Sequence, residues 1–214
     1  MKKNILLIGT GGHANSLADV INQSGKYKVF GMIAKSKNDE KVSTKHKIVG
    51  LEKNITKIKK NVKCAIISFG GIKSFRRRLP LFNKLKKLGY KFPTIISKFS
   101  YVSKNSSIGD GTIVMHGAFV NSGSKIDQNC IINSKSIVEH DVIIGKNSHI
   151  APGAIVCGSA KIGNNCIIGA GSVIKEGIKV SSNSIVGANS FLDKDLKSNK
   201  IFVSKTKKVI KDIW

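Results

Sequence analysis

From Ile96 to Leu192 an aliphatic residue returns at every sixth position, beginning Ile96, Val102, Ile108, Val114 and ending Ile174, Val180, Val186, Leu192. Four residues after most of these a small side chain returns as well, among them Thr112, Ser124, Cys130, Ser148 and Cys166. A period of six fits neither the 3.6 of an α-helix nor the alternation of a hairpin sheet. It describes a coil whose flat faces each use one hexapeptide. Three faces make a turn of about eighteen residues, so the pattern predicts a parallel β-helix of roughly five to six coils with its aliphatic positions stacked inward.

The first part of the chain has a different pattern. Lys3 to Ile8 ends in an aliphatic run suited to a strand buried on both faces, followed by Gly9-Thr10-Gly11-Gly12-His13 and a helix-like stretch from Ser16 to Ser24. Val29 to Ile33 and Cys64 to Phe69 read as further strands, and Phe75 to Leu88 as another helix. The expected organisation is a small Rossmann-like α/β domain over residues 1–94, the β-helix over 95–192, and a tail, 193–214, that packs back on the coil's end. Strand, glycine turn and helix in that order form an edge where backbone N–H groups and the helix N-terminus attract a phosphate. The alternative is that the glycines only make tight turns. Ala14 fills the third glycine position, and Ala34-Lys35 stand where a ribose-binding carboxylate is expected, which disfavours NAD.

Charge narrows the choice of partner. The formal net charge is +25, and residues 1–100 hold 23 Lys and Arg against 4 Asp and Glu. Clusters such as Arg76-Arg77-Arg78 and Lys84-Leu85-Lys86-Lys87 read as solvated helix faces whose field favours phosphate-bearing small molecules. No stacking aromatic motif or recognition helix accompanies them, which argues against specific nucleic-acid binding. The four cysteines, Cys64, Cys130, Cys157 and Cys166, lack C-x-x-C spacing and read as reduced packing residues. No apolar run reaches a membrane span, and Ile5 to Ile8 is followed by glycines rather than a cleavage site, so a cytoplasmic protein is expected.

Among the histidines, His46 lies in a polar, lysine-rich segment and receives no role, and His116 sits at a hexad corner. His140 stands in Val138-Glu139-His140-Asp141, where three consecutive ionisable residues occupy a coil turn. A carboxylate beside an imidazole fixes its tautomer, and imidazole basicity near neutral pH suits proton removal from an attacking amine or hydroxyl. His149 precedes Ile150-Ala151-Pro152-Gly153 and is expected close to the same face or edge, either binding a second substrate or capping a turn. Zinc held by His116, His140 and His149 is disfavoured because their spacing matches no known site of this kind, so no metal is expected.

The glycine turn from Gly9 to His13, the hexapeptide coil and the stretch Asn133 to Asp141 together resemble the bacterial sialic-acid O-acetyltransferase-like sugar acyltransferases, which include N-acetyltransferases of UDP-4-amino-4,6-dideoxy sugars. The resemblance covers nearly the whole chain. It implies a left-handed β-helix, a homotrimer with active sites between subunits, and acetyl-CoA as co-substrate. It implies His140 as general base, Asp141 as its orienting partner, and Asn133 in the same active-site wall. It places Gly9, Gly11, Gly12 and His13 at the nucleotide or sugar substrate, His149 facing the thioester, and Gly158, Gly169 and Ala170 along the pantetheine groove. The family's Gly-x-Pro-Ala-Lys turn is replaced here by Phe202 to Lys207. Transfer to a sialic-acid hydroxyl, or a noncatalytic trimeric scaffold, are the alternative readings.

Overall fold

A computed structural model describes residues 2–41, 46–70 and 72–204. Strands β1 (Lys3–Ile8), β2 (Tyr27–Ala34), β3 (Ile48–Leu51) and β4 (Cys64–Ile67) form a parallel sheet in the order β3-β2-β1-β4. Central β1 is buried from Ile5 to Ile8, as its unbroken aliphatic run requires. Helix α1 (Gly12–Ser24) packs Leu17, Val20 and Ile21 on one side of the sheet, and starts four residues earlier than the sequence suggests because the glycine turn itself becomes its first turn. Short α2 (Ile55–Ile58) and long α3 (Ile72–Lys87) lie with Phe82, Leu85 and Phe92 on the other side. Strand β3 had no counterpart in the sequence reading, since its four residues are half-buried and show no alternation.

From β5 (Ile95–Ile96) to β22 (Ile201–Phe202) the chain makes eighteen two-residue strands, which stack as three parallel sheets. The first face carries seven strands from β5 to β22, the second six from β6 (Tyr101–Val102) to β21 (Phe191–Leu192), and the third five from β7 (Ser107–Ile108) to β19 (Lys179–Val180). Pairing joins residues eighteen apart, as Val138 to Val156 and Ile150 to Ile168. The aliphatic positions from Val114 to Leu192 form one continuous core with the small residues between them. Ile96 is the exception at 39% exposed, because no coil lies beneath the first rung. Small-slot hydroxyls bury without penalty by reaching the next turn: Ser124 Oγ donates to Glu139 O at 2.7 Å and Ser148 Oγ to Gly163 O at 2.8 Å.

A second six-residue rhythm shapes the corners. Every sixth residue from Gly111 to Asn189 has positive φ, and the position is filled by glycine, asparagine, aspartate, lysine or serine. Asparagine and aspartate tolerate this left-handed region better than other side chains. At one edge the asparagines also join: Nδ2 of Asn129, Asn147 and Asn165 donates in turn to Oδ1 of Asn147, Asn165 and Asn183, at 2.8, 2.9 and 3.0 Å.

The α/β domain sits on the lower part of the first face, where Ile95, Ile113, Met115 and Ile131 share a core with α1 and β1. After β21 the chain stays on the coil: Leu196 N–H donates to Lys179 O, and β22 pairs with β20 (Ile185–Val186). The part of the expected tail from 205 to 214 lies outside the described residues.

Close stacking makes one prediction. A Cβ on Gly169 would stand 2.5 to 2.7 Å from backbone atoms of Val186, Gly187 and Ala188, whereas one on Gly12 would meet nothing within 4 Å. Gly169→Ala is expected to lower stability by about 1–3 kcal/mol, read from denaturant unfolding, with Gly12→Ala leaving it unchanged or slightly raised.

Candidate active site

His140 and Asp141 occupy the turn between β12 (Ile137–Val138) and β13 (Ile143–Ile144), at the edge where the second and third faces meet. The hexad fixes this locally. Val138 points into the core, Asp141 takes the left-handed turn position with φ 59°, and Val142 returns to the interior. His140 Nδ1 lies 2.9 Å from Asp141 Oδ2. With Nδ1–H donating to that carboxylate, Nε2 is left with the free lone pair. Glu139 is engaged elsewhere, accepting from Asn121 Nδ2 at 2.7 Å, so Asp141 alone orients the ring.

Stacking supplies the space around this pair. A Cβ on Gly158, eighteen residues after His140, would stand 2.6 Å from His140 Nε2, and one on Gly123, eighteen before Asp141, would overlap Asp141 Oδ1. The two glycines cut a notch into the edge in which imidazole and carboxylate lie side by side. Both side chains remain open to solvent, at 59% and 65% exposed.

The other histidine cluster lies across the prism. His149 is in β14 (His149–Ile150) of the first face, buried against the α/β domain, with its ring 3.6 to 3.7 Å from the position of a Cβ on Gly70. The edge bearing His140 is the one opposite that face, so within one chain His149 shares neither face nor edge with His140. The expected closeness fails because nine residues carry the chain halfway round an eighteen-residue coil. Asn133 Oδ1 accepts from Ser134 N–H at 2.8 Å, which turns its Nδ2 toward His149 Nε2 at 3.0 Å. The proton of His149 therefore sits on Nδ1, which is buried without a hydrogen-bond partner.

His13, the second residue of α1, has a buried Nε2 that also lacks a partner. Gly9 has φ 127° and donates its N–H to Ile33 O at 2.9 Å, while no atom stands within 4 Å of where side chains on Gly11 and Gly12 would begin. The turn thus faces open space at a helix N-terminus, as an anion-binding edge does. Gly169 and Ala170 lie two coils beyond Asn133 at the same corner, and Gly158 lies one coil above His140. The residues expected at cofactor are accordingly spread over both sides of one prism.

Burial sets the electrostatics of this second cluster. Together with the positive charge of Arg78, it holds His13 down at about 4 and His149 down at about 3. Arg78 is itself 1% exposed. The arginine run read as a solvated face is therefore split: Arg77 pairs with Glu52 at 2.6 Å, and Arg78 points inward. Its burial had a signal in the sequence, because Arg78, Phe82 and Leu85 follow the i, i+4, i+7 spacing of a core stripe. His116 is also structural in its contacts, bridging Ser97 Oγ at 2.6 Å and Asp19 Oδ2 of α1 at 3.2 Å. Among the described residues no group of three or more His, Cys, Asp or Glu is arranged to hold a metal ion.

The chain joins a glycine turn at a helix N-terminus to a hexapeptide prism that carries an exposed His–Asp pair. Residues 4–85 match the PglD N-terminal domain, residues 123–158 the bacterial transferase hexapeptide (six repeats), and residues 159–194 the hexapeptide repeat of succinyl-transferase. The chain thus joins a PglD-type N-terminal domain to hexapeptide repeats of bacterial transferases, and its coil is a left-handed β-helix. The acetyltransferase domain of PglB from Neisseria gonorrhoeae FA1090, solved with acetyl coenzyme A, is 24% identical with a TM-score of 0.86, covering 95% of this chain and 97% of its own. A histidine-to-asparagine mutant of perosamine N-acetyltransferase from Caulobacter crescentus, solved with CoA and GDP-perosamine, is 23% identical with a TM-score of 0.88, over 98% and 97%. WeeI from Acinetobacter baumannii AYE is 20% identical with a TM-score of 0.81, over 95% and 97%. A search of curated protein sequences gave no match.

The depressed histidines make stability depend on pH. A histidine whose folded pKa lies below the ordinary 6.5 favours the fold while neutral, and that contribution is lost as pH falls below 6.5 toward the folded value. Between pH 6.5 and 5, His149 is expected to cost the fold about 2 kcal/mol, from 1.36 kcal/mol per pH unit. His13 acts in the same direction over pH 6.5 to about 4. Denaturant unfolding across this range checks it: a His13→Asn, His149→Gln variant should lose most of the acid-side slope, and an unchanged slope would contradict the assignment.

Proposed function

We propose that the protein transfers the acetyl group of acetyl-CoA to the amino group of a nucleotide-linked 4-amino-4,6-dideoxy sugar, with His140 as general base. The observation that carries this reading is the His140–Asp141 pair in its glycine notch, whose tautomer leaves Nε2 free to accept a proton. The sugar nitrogen attacks the thioester carbonyl carbon and loses a proton to Nε2. The tetrahedral adduct collapses with cleavage of the C–S bond, and the imidazolium returns that proton to the departing sulfur. Backbone N–H groups of the coil turns are the donors available to the oxyanion.

The nucleotide sugar is held by Gly9, Gly11, Gly12 and His13, with Asn133 in the adjoining wall. His149, Gly169 and Ala170 belong to the acetyl-CoA groove on the same side of the prism, and Gly158 borders it from the edge of His140. The homologous solved proteins carry names and ligands of this chemistry, which supports the choice of donor and acceptor class.

Because the two clusters lie on opposite sides of one prism, this reading needs a second copy, and a homotrimer supplies it. The outward column of the second face is Tyr101, Phe119, Ile137, Ile155, Val173 and Phe191, with Tyr101 and Phe119 stacked at 4.8 Å. The third face presents Ser107, Lys125, Ile143, Lys161 and Lys179. An apolar outward column of this length suits burial between copies.

No helix among the described residues is long and apolar enough to cross a membrane, and the substrates proposed are those of the cytoplasm. A thiol-release assay with acetyl-CoA and a panel of UDP- and GDP-linked 4-amino sugars, with sialic acids alongside, tests the reaction. Turnover is expected with a nucleotide amino sugar, and turnover confined to sialic acids would replace N- by O-acetylation. His140→Ala should lower kcat by about 10²- to 10⁴-fold at little change in acetyl-CoA KM; a folded variant within a few-fold of the parent would remove His140 as the base.

A further inference from the structure

Arg78 is among the largest fully buried side chains of the described residues, and it is a cation. Burial lowers its pKa to about 10, so it remains charged at neutral pH. Among the described residues no carboxylate pairs with it. Its charge is met by oxygen dipoles from both domains: Nη1 donates to Ile67 O at 3.2 Å and to Phe69 O, and Nη2 donates to Asn129 O at 3.2 Å and Asn129 Oδ1 at 3.0 Å. The planar fork of a guanidinium suits two such pairs at once, which a lysine cannot bridge.

Both ends of this clamp lead to the second cluster. On the α/β side, Ile67 and Phe69 flank Ser68, whose Oγ donates to Gly9 O at 3.1 Å, and the same loop ends in Gly70 against the His149 ring. On the coil side, Asn129 heads the asparagine ladder that runs through Asn147 and Asn165 to Asn183. A buried cation that only stabilised the fold would be a poor choice, since desolvation offsets most of its attraction.

We propose that Arg78 is a positioning residue: it clamps the loop after β4 to the first asparagine of the ladder, and thereby fixes where the glycine turn and His13 meet the acceptor substrate and where His149 meets the acetyl-CoA groove. This rests on the proposed acetyl transfer only for its kinetic arm. Among the described residues neither ring is paired with a carboxylate; after burial itself Arg78 is the charge acting on both, with His13 acting on His149 as well, so loss of the clamp and its charge eases their protonation.

The test uses the full chain with selectively labelled histidine, following the ring nitrogens of His13 and His149 by NMR against pH in the parent, Arg78→Lys and Arg78→Met. The parent rings are expected to stay neutral to pH 5. Arg78→Met should protonate at least one of them a pH unit or more higher, a tenfold change in its proton affinity, and identical titrations in the parent and a folded Arg78→Met would overturn the proposal. If Arg78→Met does not fold, Arg78→Lys decides: it keeps the charge and loses the fork, so the acceptor KM should rise about tenfold, with the acetyl-CoA KM rising alongside it. An unchanged acceptor KM in Arg78→Lys would overturn the proposal in that case. A parent without acetyl transfer would defeat the reaction while leaving the titration arm to judge Arg78.

Discussion

Residues eighteen apart lie on top of one another, and that single register determines what surrounds every group on the coil. It stacks the aliphatic column into one continuous core. It also decides where chemistry has room. His140 has space for its ring because Gly158 follows it by one coil, and Asp141 because Gly123 precedes it by one. The same register links Asn129, Asn147, Asn165 and Asn183 into a ladder that Arg78 caps. A shift of one residue would put side chains where these notches are and break the amide chain.

Much of this was readable in the chain before any coordinates. The six-residue return of Val114, Val120 and their successors specified faces, core and stacking, because an inward position in a repeat must be apolar in each copy. The pairing of His140 with Asp141 was readable too, since adjacent residues at a turn can reach each other without knowledge of the rest of the fold. Beyond the coil, β1 and the glycine turn announced themselves through an aliphatic run and its abrupt end.

What escaped was whatever depends on the angle around the prism or on contacts between the domains. His149 looked near His140 along the sequence, yet nine residues are half a coil, and half a coil is the opposite side. Arg78 stands in a run that reads as one solvated cluster, although its spacing to Phe82 and Leu85 marks a buried stripe. Short β3 gave no periodic signal at all. In each case the missing information is three-dimensional: a residue's neighbours across the domain boundary set its burial, and burial then sets its charge state, as for His13 and His149.

With His140 as the proposed base and His149 in the proposed substrate-binding cluster on the opposite side of the prism, one active site would draw on two copies. Co-expression of His140→Ala chains with His149→Ala chains tests this division most directly, with activity measured on the purified mixed assembly. The account predicts recovery to about a quarter of the parent rate, the share of sites that random assembly leaves with both intact histidines. A mixture no more active than the two separate variants would contradict it.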